Sequence, residues 1–146
     1  MPLNLPALQG GIQSVAASPA DSASGCASAW ADAVKDYATG IIPPCPAVAA
    51  AAAALESALA GAFASPAAAP GMESAFAAFA GSVVAGMLPA FVGTPPSGPV
   101  GFANLFAGAK PETHAEAASN VASIIDSWMR TGSATPSAGG PPIFWS

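Results

Sequence analysis

The residues able to do chemistry in this sequence are few, and their spacing favours little of it. The single histidine, His114, lies between Glu112 and Glu116, and a His–carboxylate pair could perform general acid–base work. Its place at the start of an apolar-striped segment reads instead as a solvated helix start. Cys26 and Cys45 are the only thiols. With one histidine they lack the ligands for a metal site and the context of a Cys–His dyad. They read as two small buried thiols or, in the alternative, as a disulfide joining the first two helices. The carboxylates Asp21, Asp32, Asp36, Glu56, Glu73 and Asp126 are scattered, and nothing selects a pair among them. No phosphate-binding or dinucleotide-binding glycine pattern and no G-x-S-x-G elbow occurs. The expectation is a non-enzymatic chain with no catalytic residue, no metal and no cofactor.

Three features remain that could carry function through contact. The chain closes on Ile143-Phe144-Trp145-Ser146, and large aromatics act as anchors on a partner or as latches on the chain's own core. The stretch 93–101 holds Pro95 and Pro96 and runs into Phe102, so it is a loop, either a stiff contact loop or a plain connector. The Ala-rich middle of the chain offers helix faces of very small side chains. The candidate partner-binding residues are therefore Ile143, Phe144, Trp145, Pro95, Pro96 and Phe102.

Proline and glycine set the elements that position these residues. A helix is expected over 19–38, capped by Ser18 and closed by Gly40, with Ala23, Ala27, Trp30, Val34 and Tyr37 on one stripe. A stiff Pro-rich connector follows. A second helix over 47–64 grips through Leu55, Leu59 and Phe63, and a third over 72–88 through Phe76, Phe79, Val83 and Met87. A short turn of helix is placed at 104–109. The last helix, 111–131, carries Glu112 and Glu116 in its first turns and Arg130 in its last, matching the helix dipole. The fold class is all-α: about four helices separated by Pro/Gly-rich loops, in a single helical domain 1–132 with an extended Pro/Gly-rich tail 133–146.

Composition says how such a bundle meets its surroundings. Of 146 residues, 39 are alanine and only 8% are charged, against about 25% in ordinary soluble domains. A solitary globule covers itself with ionic side chains, and this chain has too few, so much of its surface is apolar, small or hydroxylic. The net charge is −5, with Lys35, Lys110 and Arg130 the only basic side chains. That excludes a nucleic-acid partner, which needs clustered cations. A membrane span is not supported: the apolar region 47–92 is interrupted by Glu56, Pro66, Pro70, Glu73 and Pro89. The first residues, Met1-Pro-Leu-Asn-Leu-Pro-Ala-Leu, lack the basic start and apolar run of a signal peptide.

Divided this way, three pieces carry a resemblance. They are Ser28-Ala-Trp-Ala-Asp-Ala with Tyr37-Ala, Phe91-Val-Gly-Thr-Pro-Pro-Ser-Gly-Pro-Val-Gly-Phe, and Ile125-Asp-Ser-Trp-Met-Arg-Thr-Gly followed by the closing Pro142-Ile-Phe-Trp-Ser. Together they cover under half the chain. On them it resembles the small Ala-rich virion proteins encoded among the structural genes of tailed bacteriophages and related tail-like assemblies. The resemblance implies a non-enzymatic structural component of a tail, neck or baseplate, present in several copies and assembled in the bacterial cytoplasm. Its partners would be other protein subunits, including copies of itself, and no catalytic residue transfers. The alternatives are a secreted or surface interaction module with a Cys26–Cys45 disulfide, a membrane-associated helical protein suggested by the mean hydropathy of +0.53, and a small hydrolase using His114.

Overall fold

A computed structural model describes residues 2–146; Met1, the first residue of the expected helical domain, lies outside the described residues. Among the described residues there are six helices and one small sheet, with 59% of them helical. Helix α1 (Leu5–Ala17) starts where the Asn4 side chain accepts a hydrogen bond from the Ala7 amide, with Pro6 in the first turn where its missing N–H costs nothing. It buries Leu8 and Ile12. Helix α2 (Ala23–Ala38) is capped by Ser22, whose hydroxyl accepts from the Gly25 amide at 3.0 Å. The expected cap at Ser18 is displaced because Ser18 instead closes α1, its amide bonded to the Ser14 carbonyl.

Helices α3 (Val48–Phe63) and α4 (Ala68–Gly86) follow. Helix α4 begins four residues earlier than its stripe indicates. Pro70 falls in its first turn, where backbone N–H groups have no intrahelical partner to lose. At the α3–α4 crossing Gly71 lies so close to Ala62 that an added Cβ would stand 2.7 Å from the alanine methyl. Small side chains here serve backbone approach. After α4 come strand β1 (Phe91–Thr94) and the short helix α5 (Phe102–Ala107). Helix α6 (His114–Met129) is capped by Thr113, which accepts from the Glu116 amide at 3.1 Å. The Glu116 carboxylate accepts from the Glu112 amide at 2.8 Å, one residue before the position a capping box would use. Strands β2 (Ser133–Pro136) and β3 (Ile143–Phe144) end the chain.

The helices close into a ring. Helix α1 packs between α6 and α2, α2 on α3, α3 on α4, and α5 bridges α4 to α6. The core inside holds Tyr37, Leu55, Phe76, Phe79 and Ile125. The Phe76 ring stands 5.2 Å from that of Phe102 and edge-on to Trp128. Two carboxylates stiffen the frame. Asp126, buried, accepts from the Tyr37 hydroxyl at 2.9 Å and from the Arg130 guanidinium at 2.8 Å. Burial, with Asp126 beside it, pushes the Tyr37 phenol well above its ordinary pKa, and the hydrogen bond to Asp126 raises that of Arg130. Glu73 on α4 accepts from three successive amides, Val100, Gly101 and Phe102, at 2.7 to 2.8 Å.

The architecture is thus mainly α rather than purely α, and the four expected helices are six. The sheet is antiparallel in the order β1-β2-β3. The segment 133–146, expected as an extended tail, supplies two of its strands and one of the most deeply buried side chains, Trp145.

Candidate functional site

The sheet is built from segments that would be poor strands alone. Thr131 and Gly132 end α6 by bonding back to the Trp128 and Met129 carbonyls, and the chain turns into β2. Pro136 ends β2, and Gly139 and Gly140 take φ of +95° and +143° to return the chain as β3. The return is pinned by the Trp145 indole, 1% exposed, seated directly on Gly132, where an added Cβ would stand 2.5 Å from the ring. The Trp145 amide donates to the Gly132 carbonyl at 2.9 Å. Beyond β3, Ser146 and Ile42 exchange two backbone hydrogen bonds, at 3.0 and 3.3 Å, so the Pro-rich connector after α2 flanks the sheet.

Side chains alternate between the two faces. The inner face presents Ala134 and Trp145 to the core, and Gly93 lies over Val84 of α4. The outer face presents Thr94, Ser133 and Phe144 in one cross-strand row and Val92 opposite Thr135 in the next. Ser146 has the parity of Phe144, and Ile42, paired to it, shares that face. Phe144 is 64% exposed, Val92 56% and Ile42 42%; Leu88, 59% exposed, leads into β1, and Ile143 at the sheet margin is 38% exposed. Five of the six exposed large hydrophobic side chains among the described residues thus gather at this end of the molecule. None of the segments that form it, 37–55, 86–109 and 131–146, contains a charged side chain. Covering a large apolar side chain fully contributes about 1.5–3 kcal/mol, so this face stores several kcal/mol for a partner that covers it.

The loop beside the sheet is held, not free. Besides the Glu73 clamp, the Trp128 indole donates to the Gly98 carbonyl at 2.9 Å and the Ser97 amide donates to the Thr131 hydroxyl at 3.2 Å. It presents Pro95 fully and Pro96 in part to solvent.

Of the expected contact residues, Phe144, Ile143, Pro95 and Pro96 reach the surface, Ile143 from the opposite face of β3 to Phe144. Trp145 and Phe102 do not: both are core residues, Trp145 against Gly132 and Phe102 fully buried among Trp30, Phe76 and Phe106. Trp145 is the latch and its neighbour Phe144 is the exposed aromatic. Val92, Leu88 and Ile42 belong to the surface and are missed by a sequence reading; the one signal for them is the short alternation in Phe91-Val-Gly-Thr.

The two cysteines are free, and Cys26 is half-exposed rather than buried. Cys26 lies near Phe63 at one end of α3 and Cys45 just before Val48 at the other, and a helix of that length spans about 24 Å, so a disulfide between them requires refolding. Cys45 is buried, with its thiol pKa raised by that burial and its Sγ–H donating to the Val83 carbonyl. His114 is exposed, and among the described residues no ion pair joins it to Glu112 or Glu116. No three His, Cys, Asp or Glu side chains among the described residues come together as metal ligands. A cleft of about 230 Å³ between α5 and α6, lined by Leu105, Phe106, Lys110, Asn120 and Val121, contains no carboxylate, thiol or imidazole. No helix among the described residues is long and apolar enough to cross a membrane.

No family model, curated protein or solved structure matches this chain.

Proposed function

We propose that this chain is a non-enzymatic structural component of a multi-subunit particle, a virion protein of the tail, neck or baseplate of a tailed bacteriophage. The observation that carries the reading is the outer face of the sheet, which presents no charged side chain. Val92, Phe144 and Ile42 stand exposed on it, with Leu88 beside it. A patch of this kind is removed from water by assembly. The loop with Pro95 and Pro96 adds a stiff rim, because Glu73 and Trp128 already restrain its backbone and little entropy is lost when a partner seats against it.

The carboxylates support the non-enzymatic part. Glu73 clamps three amides, Glu116 caps α6 and Asp126 joins Tyr37 to Arg130. Each is engaged in holding the frame. The resemblance of 28–38, 91–102 and 125–146 to small phage virion proteins supports the class of particle.

Density-gradient purification of particles from the producing culture, followed by mass spectrometry, tests the proposal. The chain is expected in the particle band at a constant ratio to the major virion protein. Phe144→Asp in the producing genome is expected to lower the yield of complete particles. Complete, infective particles that lack the chain would overturn it.

A further inference from the structure

The end of the chain is held at two points with an exposed stretch between them. Ser137 is fixed, its amide and hydroxyl donating to the Ala90 and Pro89 carbonyls at 3.0 and 2.6 Å. From Ser137 to Phe144 every residue is exposed, and then Trp145 is buried. The hinge between, Ala138-Gly139-Gly140-Pro141-Pro142, turns on a bond from the Gly139 amide to the Pro136 carbonyl. The closing residues are thus a strap that ends in one plug. The seat of that plug lies over Gly132, where any added Cβ would meet the indole ring. The buried Trp145 N–H has no partner there. Leaving the seat breaks no hydrogen bond of the indole, and water supplies one outside.

We infer that the strap is exchanged between copies, with Ile143 to Ser146 of one copy occupying the seat of its neighbour. What the seat accepts is visible, because the chain's own strap fills it. An identical strap from a second copy makes the same contacts with β2, Gly132 and Ile42. The open and closed arrangements differ only in the hinge and in the cost of association. Closed, the hinge reverses the chain through Gly139 and Gly140 at positive φ. Extended, its five residues reach about 17 Å, enough to cross to a neighbour in contact. The short tether keeps the plug near its own seat at an effective concentration on the order of millimolar. Exchange therefore needs copies packed at least that densely, as they are in a particle, and to that extent the inference rests on the proposed function.

Sedimentation equilibrium of wild type and variants tests it. Deletion of Ala138, Gly139 and Gly140 leaves three peptide steps between Ser137 and Ile143, about 11 Å at full stretch. Strand rise and spacing put those residues roughly 11 Å apart in a straight line, with nothing left for the reversal. This chain is expected to be a dimer at roughly 10 µM, where wild type is single. In a second arm, Gly132→Leu fills the seat of one chain and Trp145→Gly removes the plug of another. Each alone is expected to stay single with its helical circular dichroism intact. Mixed, they are expected to form a one-to-one pair, the free plug of the first entering the empty seat of the second. Wild type is expected to become partly dimeric near ~1 mM, and Trp145→Gly is not. A folded hinge-deleted chain that stays single, a mixture that stays single, or a wild type single at that concentration would each overturn the inference. So would wild-type pairing that survives Trp145→Gly. If Gly132→Leu fails to fold, the hinge deletion and the wild-type comparison decide. Chains that stay single yet travel with particles overturn the exchange alone. Chains that exchange but are missing from infective particles overturn the proposed function alone.

Discussion

Tyr37 and Asp126, 89 residues apart in sequence, meet inside the helix ring, where the phenol donates to the carboxylate at 2.9 Å. The contact joins α2 to α6, which do not follow each other in the chain. Arg130 holds the second carboxylate oxygen, so the buried charge is compensated from both sides.

Tyr37 is the only tyrosine, so phenolate absorbance reports it alone. Its folded pKa lies above the ordinary value of 10.0. The stability this gives is whole below about pH 10 and is lost as pH rises beyond, because the unfolded phenol ionises first. Alkaline titration is expected to show no phenolate in the folded chain near pH 10, and then phenolate and unfolding together. Tyr37→Phe is expected to cost about 1.5–3 kcal/mol at neutral pH by urea denaturation and to flatten the alkaline decline.

Glu73→Gln keeps the shape of the clamp and removes its charge, while its amide group turns a donor toward amides that are themselves donors. The Val100, Gly101 and Phe102 amides are expected to exchange with solvent at least ten-fold faster, as loss of about 1.5–3 kcal/mol from charge-assisted bonds requires. Unchanged protection at all three would contradict the clamp.

The two buried tryptophans separate packing from hydrogen bonding. The Trp128 indole N–H has a carbonyl partner, whereas that of Trp145 has none. Replacement by Phe removes similar apolar surface from each. Trp128→Phe is expected to destabilise by about 1–2 kcal/mol more than Trp145→Phe, because the former gives up a hydrogen bond whereas the latter removes a buried N–H that has no partner. Equal losses in denaturant midpoint would refute this.

Gly132→Ala places a methyl where the Trp145 ring lies. Overpacking of about 1–3 kcal/mol is expected, with faster amide exchange at Trp145 and Ser146 as the closing strand lifts. An alanine accepted without loss would mean that the indole sits elsewhere.

Thiol labelling distinguishes the cysteines. Cys26, half-exposed, is expected to react in the native chain, and Cys45 only after denaturant is added. Failure of both to react under denaturing, non-reducing conditions would indicate the disulfide.

Helices α2, α3, α4 and α6 are legible because Leu55 and Leu59, or Phe76, Phe79 and Val83, recur at helical spacing between proline stops. Helix α1 carries the same signal in Leu5, Leu8, Ile12 and Val15 after the Asn4 cap, but Gly10 and Gly11 dilute it. The sheet is not legible. Its strands are two to four residues long and rich in Ser, Thr, Ala, Gly and Pro, and they become strands because Trp145 anchors them from outside the pattern. Phe144 and Trp145 look equivalent as residue types, and only strand parity assigns one outward and one inward. Glu73 and Asp126 read as scattered acids because the partners of Glu73 lie 27 to 29 residues away and Tyr37, which joins Asp126 to another helix, lies 89 away.

The helix ring has a consequence for how the chain is made. Helix α1 leaves the ribosome before the other helices, yet one of its two neighbours, α6, is translated about a hundred residues later. At ordinary rates of synthesis that interval is on the order of ten seconds. Throughout it Leu8 and Ile12 have α2 on one flank and water or a chaperone on the other. Closure of the ring thus waits for α6 to be synthesised.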